Sequence, residues 1–165
     1  MTAQTRQRVD RGFVQVYTGT GKGKTTAAFG LALRAAGHGL RTYIGQFMKG
    51  QIYGEVQALQ EHSLIEIEQY GDARCIRREE VTVEHASRAR RGMEHAREKM
   101  CNGDFDIVIL DEVNVVIWFG LLAVDEVLEF LELRPPAVEV VLTGRYATAE
   151  ILAKADLVTE MREVK

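Results

Sequence analysis

One run of residues, Thr18-Gly19-Thr20-Gly21-Lys22-Gly23-Lys24-Thr25, constrains this chain more than any other. An apolar stretch from Phe13 to Tyr17 leads into it, and an alanine- and leucine-rich stretch from Thr26 to Ala36 leads out. That order reads as strand, glycine-rich turn and helix. Such a turn leaves backbone N–H groups pointing inward at the positive end of the following helix, which makes a cradle for a chain of phosphates. Gly19, Thr20, Gly21, Lys22, Gly23, Lys24, Thr25 and Thr26 are the expected binding set. Lys24 can reach the distal phosphates, and the Thr25 hydroxyl is placed to ligate magnesium. The general P-loop pattern has a glycine five residues before Gly23, where this sequence carries Thr18, and Lys22 is an additional cation. The flanking strand and helix set the run apart from an ordinary glycine-rich loop.

The chain has 165 residues. Residues 13–165 fit one α/β domain with a substantial core, behind a polar tail (1–12) carrying Arg6, Arg8 and Arg11. A net charge of −3 gives no bulk attraction to nucleic acid or to a membrane. No apolar run is long enough for a membrane span and no signal peptide precedes the first strand, so a cytoplasmic location is expected. Cys75 and Cys101 are too few and too far apart for a disulfide framework or a zinc site, and read as reduced thiols.

Apolar runs and helical patterns alternate along the whole chain. This predicts a three-layer α/β fold, a mostly parallel sheet of about six strands with helices on both faces. The second strand, Arg41 to Phe47, runs into a polar loop, Met48 to Glu55, at a strand's carboxyl end. Ligands of open α/β sheets bind at that edge. Lys49 and Glu55 are therefore noted, with a solvated loop charge as the plain alternative. Leu64 to Tyr70 alternates as a strand near the sheet edge does, and Gly71 to Arg78 reads as a loop. From Glu79 to Asn102 a helix is expected, its Ala86, Ala89, Met93, Ala96 and Met100 forming a core stripe. The arginines opposite it (Arg88, Arg90, Arg91, Arg97) read as a solvated face with Glu84, Glu94 and Glu98.

Ile107-Val108-Ile109-Leu110 marks a strand buried on both faces, and Asp111-Glu112 follows at its carboxyl end. In P-loop proteins an acidic residue there meets the magnesium shell, directly or through water. Carboxylate and hydroxyl oxygens suit that hard cation. The metal-site candidates are Thr25, Asp111 and Glu112, and the spacing does not choose between the two carboxylates. The segment Val115 to Leu122 carries the only tryptophan, Trp118, read as packing against the sheet in preference to lining a pocket. Val138 to Thr143 is the last long strand. Arg145 follows it at the same edge as the P-loop, where it can contact a phosphate or a structural carboxylate. Leu157 to Met161 reads as a final edge strand.

Together these residues resemble the P-loop family of ATP:corrinoid (cob(I)alamin) adenosyltransferases. The carriers are Tyr17 to Ala28, Arg34-Ala35-Ala36-Gly37-His38-Gly39, Gln46-Phe47-Met48-Lys49-Gly50, Val108 to Glu112, Arg134-Pro135 and Leu142-Thr143-Gly144-Arg145, in the family's order. The threonine at position 18 is the family's own form. The resemblance implies a RecA-like P-loop NTPase sheet, ATP as co-substrate and a corrinoid as substrate. It also implies magnesium (or manganese), a homodimer and a reducing flavoprotein. The implied reaction is displacement at C5′ of ATP by cobalt(I), expelling the whole triphosphate. Lys24, Lys22 and Glu112 would serve catalysis, Gly19 to Thr25 would hold the triphosphate, Thr25 and Glu112 the metal, and Arg34 would lie near the nucleotide.

Better-known members carry a Gly-Phe-Thr-Trp stretch after the third strand, where this sequence reads Tyr70-Gly71-Asp72-Ala73-Arg74-Cys75-Ile76. They also continue past the last strand with a tail, so what that tail contributes is expected to be missing or supplied differently. Two other readings of the P-loop are a kinase or NTPase that cleaves the terminal phosphate, and a non-catalytic ATP- or corrinoid-binding module.

Overall fold

Every residue of Ile107-Val108-Ile109-Leu110 is buried, and alternate members belong to two different cores. Val108 and Leu110 pack with Val14, Val16, Val140 and Leu142, while Ile107 and Ile109 pack with Ile44 and Val141. Successive strand side chains point to opposite faces, so this division requires a helical layer on each side of the sheet. The computed structural model describes residues 10–165, so residues 1–9 of the expected tail, Arg6 and Arg8 among them, lie outside it.

In chain order the elements are β1 (Val14–Thr18), α1 (Lys24–Gly37), β2 (Thr42–Gln46), α2 (Gly54–Leu59) and β3 (Ile65–Gln69). A short 3₁₀ turn (Arg78–Glu80) then precedes α3 (Val83–Cys101), β4 (Ile107–Asp111), α4 (Val113–Trp118) and α5 (Val124–Glu132). The chain closes with β5 (Glu139–Thr143), α6 (Ala149–Lys154) and β6 (Leu157–Glu160). The sheet order is β3-β2-β4-β5-β1-β6 and every pairing is parallel, which sharpens the expected mostly parallel sheet. β3 and β6 lie at the two edges, where alternation and composition put them. Helix α1 covers one face through Ala28, Phe29, Ala32 and Ala35. Helices α3 and α5 cover the other, through residues such as Met93, Met100, Val127 and Phe130.

Helix α3 starts later than its pattern suggested, at Val83, because Thr82 caps it: its hydroxyl accepts from the His85 backbone N–H. The expected stripe holds, with Ala89, Met93, Ala96 and Met100 buried and Ala86 packed at its margin. Its arginines pair more widely than with their own helix. Arg88 meets Glu84 and Asp72, whereas Arg90 and Arg97 reach Glu126 and Glu129 of α5 at 3.6 and 3.9 Å.

Trp118 does not pack against the sheet. Val113 and Val116 take the inward face of the short helix α4, which leaves Trp118 turned out and 38 % exposed. Its ring stacks on Tyr146 at 4.4 Å, and the Arg78 guanidinium lies 4.9 Å from its centre.

Gly92 lets α3 pack closely against two rings that follow β2 and β3, those of Phe47 and Tyr70. A Cβ there would stand 2.8 Å from both Phe47 Cε1 and Tyr70 Cδ2. Gly92→Ala should gain about 1 kcal/mol of helix propensity but force two packed rings to move, at about 1–3 kcal/mol. Net destabilisation is expected, read as a lower urea midpoint at unchanged slope. An unchanged or raised midpoint would show that the rings yield freely.

Candidate active site

The carboxyl ends of β1, β2, β4 and β5 gather on one edge, and the backbone is strained there. Among the described residues the non-glycine positions with positive φ are Met48, Glu112 and Tyr146, which follow β2, β4 and β5 (φ 59°, 66° and 63°). Such conformations cost about 1–3 kcal/mol each and persist where the surroundings impose them, commonly at functional sites.

The P-loop joins β1 to α1. Gly23 precedes the helix at φ 108°, and the first turn of α1 has neither a side-chain cap nor an acidic residue. Its backbone N–H groups therefore keep their positive potential for an anion. The glycine at 19 instead of 18 has a tertiary cause. Gly19 has φ 95°, and a Cβ on it would stand 2.3 Å from the Met161 carbonyl oxygen. The chain just beyond β6 lies directly against the loop: Gly21 N–H donates to Met161 O (2.8 Å), and Met161 N–H donates to Thr18 O (2.9 Å).

Lys24 is buried, and its Nζ donates to Gly19 O at 2.8 Å and Gly21 O at 2.7 Å. Burial lowers its pKa, an effect opposed chiefly by the carboxylate of Glu112. Lys22, Thr20 and Thr26 are exposed around the loop.

Asp111, the last residue of β4, is completely buried and collects four donors. Oδ1 accepts from Thr25 Oγ1 (2.9 Å) and Thr143 Oγ1 (2.7 Å), and Oδ2 from Gln46 Nε2 (3.0 Å) and Lys49 Nζ (2.8 Å). That is the full complement of an ionised carboxylate. Three strand ends and the P-loop helix thus converge on one side chain. The adjacent Glu112 is fixed through its backbone, whose N–H donates to Thr143 Oγ1 at 2.9 Å. Burial raises the pKa of Glu112, as does Asp111, while Lys49, Lys24 and Arg145 pull the other way.

Lys49 is the residue whose role the sequence understated. It is no solvated loop charge: Nζ also donates to Thr25 Oγ1 at 2.7 Å and lies 3.8 Å from Glu112 Oε1. Its place at a strand's carboxyl end was the available signal. Gln46 and Thr143 lie in runs that carry the family resemblance, but their contacts depend on strand order and no local pattern gave them. Arg145 is exposed beside the P-loop, where Thr18, Gly19, Thr20 and Tyr146 line the same groove. Glu55 sits in the first turn of α2 and borders a different, apolar depression with Thr26 and Phe29. Arg34 is not brought to the cluster within this chain. It is exposed in the last turn of α1, ten residues beyond Lys24 and so about 15 Å along the helix.

The oxygen set of Thr25, Asp111 and Glu112 is hard, and an ammonium already sits among it. Both facts fit a divalent hard cation. Among the described residues no group of three or more His, Cys, Asp or Glu could hold a metal by itself. The protein side of such a site is thus small, as suits magnesium, which completes its shell with water and phosphate oxygens. No helix among the described residues is long and apolar enough to cross a membrane.

Comparison with known proteins places the chain in one family. The family model described as ATP:corrinoid adenosyltransferase BtuR/CobO/CobP matches residues 10–165. The corrinoid adenosyltransferase of Escherichia coli strain K12 is 37 % identical over 158 residues, covering 94 % of this chain and 79 % of the relative. The corrinoid adenosyltransferase CobA of Salmonella typhimurium is 36 % identical, with 94 % and 79 % covered. An uncharacterized protein of Nostoc sp. is 38 % identical over 98 % of this chain, which spans 46 % of that longer protein.

Proposed function

This chain belongs to the ATP:corrinoid adenosyltransferase family, and on that premise we propose that it transfers the 5′-deoxyadenosyl group of ATP to the cobalt(I) of a corrinoid. The observation that carries the reading is the family match over residues 10–165. A Co–C5′ bond forms, the C5′–O5′ bond breaks, and its electron pair leaves with the triphosphate. Reduced cobalt has no proton to lose, so the site needs no general base. What it must supply is positive potential around a highly charged leaving group.

The residues present suit that task. The open N–H groups of the first turn of α1 and the ammonium groups of Lys24 and Lys22 would hold the triphosphate, with Arg145 at its side. Thr25 and Asp111 would hold a magnesium ion, directly or through water, with Glu112 next to it. When bound, that ion would neutralise charge on the phosphate oxygens. The corrinoid contacts are proposed for the aromatic side of the same edge, where Trp118 and Tyr146 stand exposed next to Arg145. In the matching stretch, Tyr70 to Ile76, the one aromatic is Tyr70, and its ring packs against Phe47 at 5.7 Å.

Residues 13–165 would act as one unit. The homodimer and the electron-donating flavoprotein are further proposals that rest on the resemblance alone; a cytoplasmic location is proposed as well.

The test is an anaerobic assay with ATP, magnesium and chemically reduced cob(I)alamin, in which both products are identified. A light-sensitive adenosylcorrinoid with intact triphosphate is expected. Corrinoid-independent release of ADP and phosphate would transfer the site to NTPase chemistry. ATP binding without any product would make the chain a binding module.

A further inference from the structure

The four donors on Asp111 pose a problem for any metal that needs this carboxylate, because both oxygens are saturated. One donor must leave first. Gln46 and Thr143 are wholly buried at the ends of β2 and β5, and the Gln46 amide oxygen is held in turn by Gln69 Nε2 at 3.0 Å. Thr25 is rooted in the first turn of α1. Lys49 differs from all three. Its backbone is fixed, since its carbonyl accepts from Gly71 N–H at 3.1 Å and a Cβ on Gly71 would lie 2.1 Å from its nitrogen. Its head group, however, ends a flexible four-carbon stem with 18 % of the side chain open to solvent.

The Lys49 ammonium also touches or faces the same three groups that would bind the metal. It lies 2.7 Å from Thr25 Oγ1, 2.8 Å from Asp111 Oδ2 and 3.8 Å from Glu112 Oε1. Two cations cannot share that position without strong repulsion. We propose that Lys49 is a resident counter-ion that holds the metal position until a cation delivered with ATP displaces it. This rests on the metal reading of the site given above.

Two consequences follow from charge alone. A bare divalent ion must evict Lys49 into solvent, away from its carboxylate partners, and so binds weakly. An ion that arrives on a triphosphate brings anionic oxygens that can take over the displaced ammonium, and so binds well. Metal and nucleotide therefore enter together. Until they do, Lys49 offsets part of the repulsion between the adjacent Asp111 and Glu112 carboxylates. Lys49 acts here as a positioning residue, through the metal.

The test titrates Mn2+ into the purified full chain without nucleotide and reads free Mn2+ by electron paramagnetic resonance. Wild type, Lys49→Met and the double variant Lys49→Met/Asp111→Asn are compared. Lys49→Met is expected to bind Mn2+ about tenfold tighter, or more, than wild type, and the double variant to lose that gain. Adding the β,γ-imido analogue of ATP should tighten Mn2+ binding to wild type far more than to Lys49→Met. A role confined to folding would not produce tighter metal binding. Should Lys49→Met fail to fold by circular dichroism, Lys49→Gln removes the same charge and keeps a donor.

Equal, Asp111-dependent affinity in wild type and variant would overturn the counter-ion proposal and leave the metal site standing. No Asp111-dependent Mn2+ binding, with or without the analogue, would remove both.

Discussion

Lys24→Met is expected to lower kcat/KM for adenosyl transfer by about 10²–10³-fold, the usual cost of losing one preorganised group that meets charge developing in a transition state. Methionine keeps most of the stem, so the packing of this buried side chain changes little. What disappears is a charge held among other charges, with its ammonium across the loop on Gly19 O and Gly21 O. Those two carbonyls lose their donor, at about 0.5–1.5 kcal/mol each. The loop could loosen as well as lose charge, and kinetics separate the two effects. Loss of the transition-state interaction lowers kcat, whereas a loosened loop mainly raises KM for ATP. Near-normal turnover in this variant, with adenosylcorrinoid and triphosphate measured together, would sink the phosphate-site assignment.

The second large effect is expected at Asp111. Asp111→Asn preserves shape, but its NH₂ group would face the donors of Gln46 and Lys49 on one side. Turned the other way, it fits only if the Thr25 and Thr143 hydroxyls reverse and accept from it. The expected cost to stability is about 1–3 kcal/mol, moderated because Lys49 can swing to solvent. Activity should fall by about 10²-fold, and the magnesium concentration for half-maximal rate should rise, if Asp111 orients the metal with Thr25. Glu112→Gln should raise that magnesium concentration by only a few-fold, since Glu112 is 3.8 Å from Lys49 and makes no side-chain bond to Thr25. A magnesium titration on both variants ranks them. If Glu112→Gln shifts the requirement more than Asp111→Asn, Glu112 is the carboxylate on the metal.

These two predictions draw on different depths of information. Lys24 was legible from the sequence because the P-loop is local. Strand, glycines, lysine and threonine lie in one continuous stretch, and chain connectivity puts the lysine at the mouth of the loop whatever the rest of the fold does. The sheet was equally legible, because a strand buried on both faces, such as Ile107 to Leu110, needs helices on each side. The edge position of β3 followed from its alternation of wet and dry faces, and β6, expected as a final edge strand, lies at the other edge.

That Asp111 is the carboxylate bonded to Thr25 was not legible. It depends on β5 lying between β4 and β1, which brings Thr143 to both residues, and on β2 flanking β4, which brings Gln46 and Lys49. Trp118 was misread because the sequence shows an apolar run but not the phase of a short helix, and two valines claimed its inward face. Arg34 shows the converse: its motif is intact, yet the helix carries it away from the loop within this chain.

The sequence by itself determined the glycine-rich turn between β1 and α1, the alternating α/β architecture and the residue types at the carboxyl edge. Those follow from patterns within about ten residues, where periodicity and turn geometry act. The tertiary structure decided which carboxylate meets Thr25, why position 19 is the glycine, and where Lys49 puts its charge. Each of those depends on residues from separate strands meeting at distances below 4 Å. Strand order sets such meetings, and no local pattern encodes strand order.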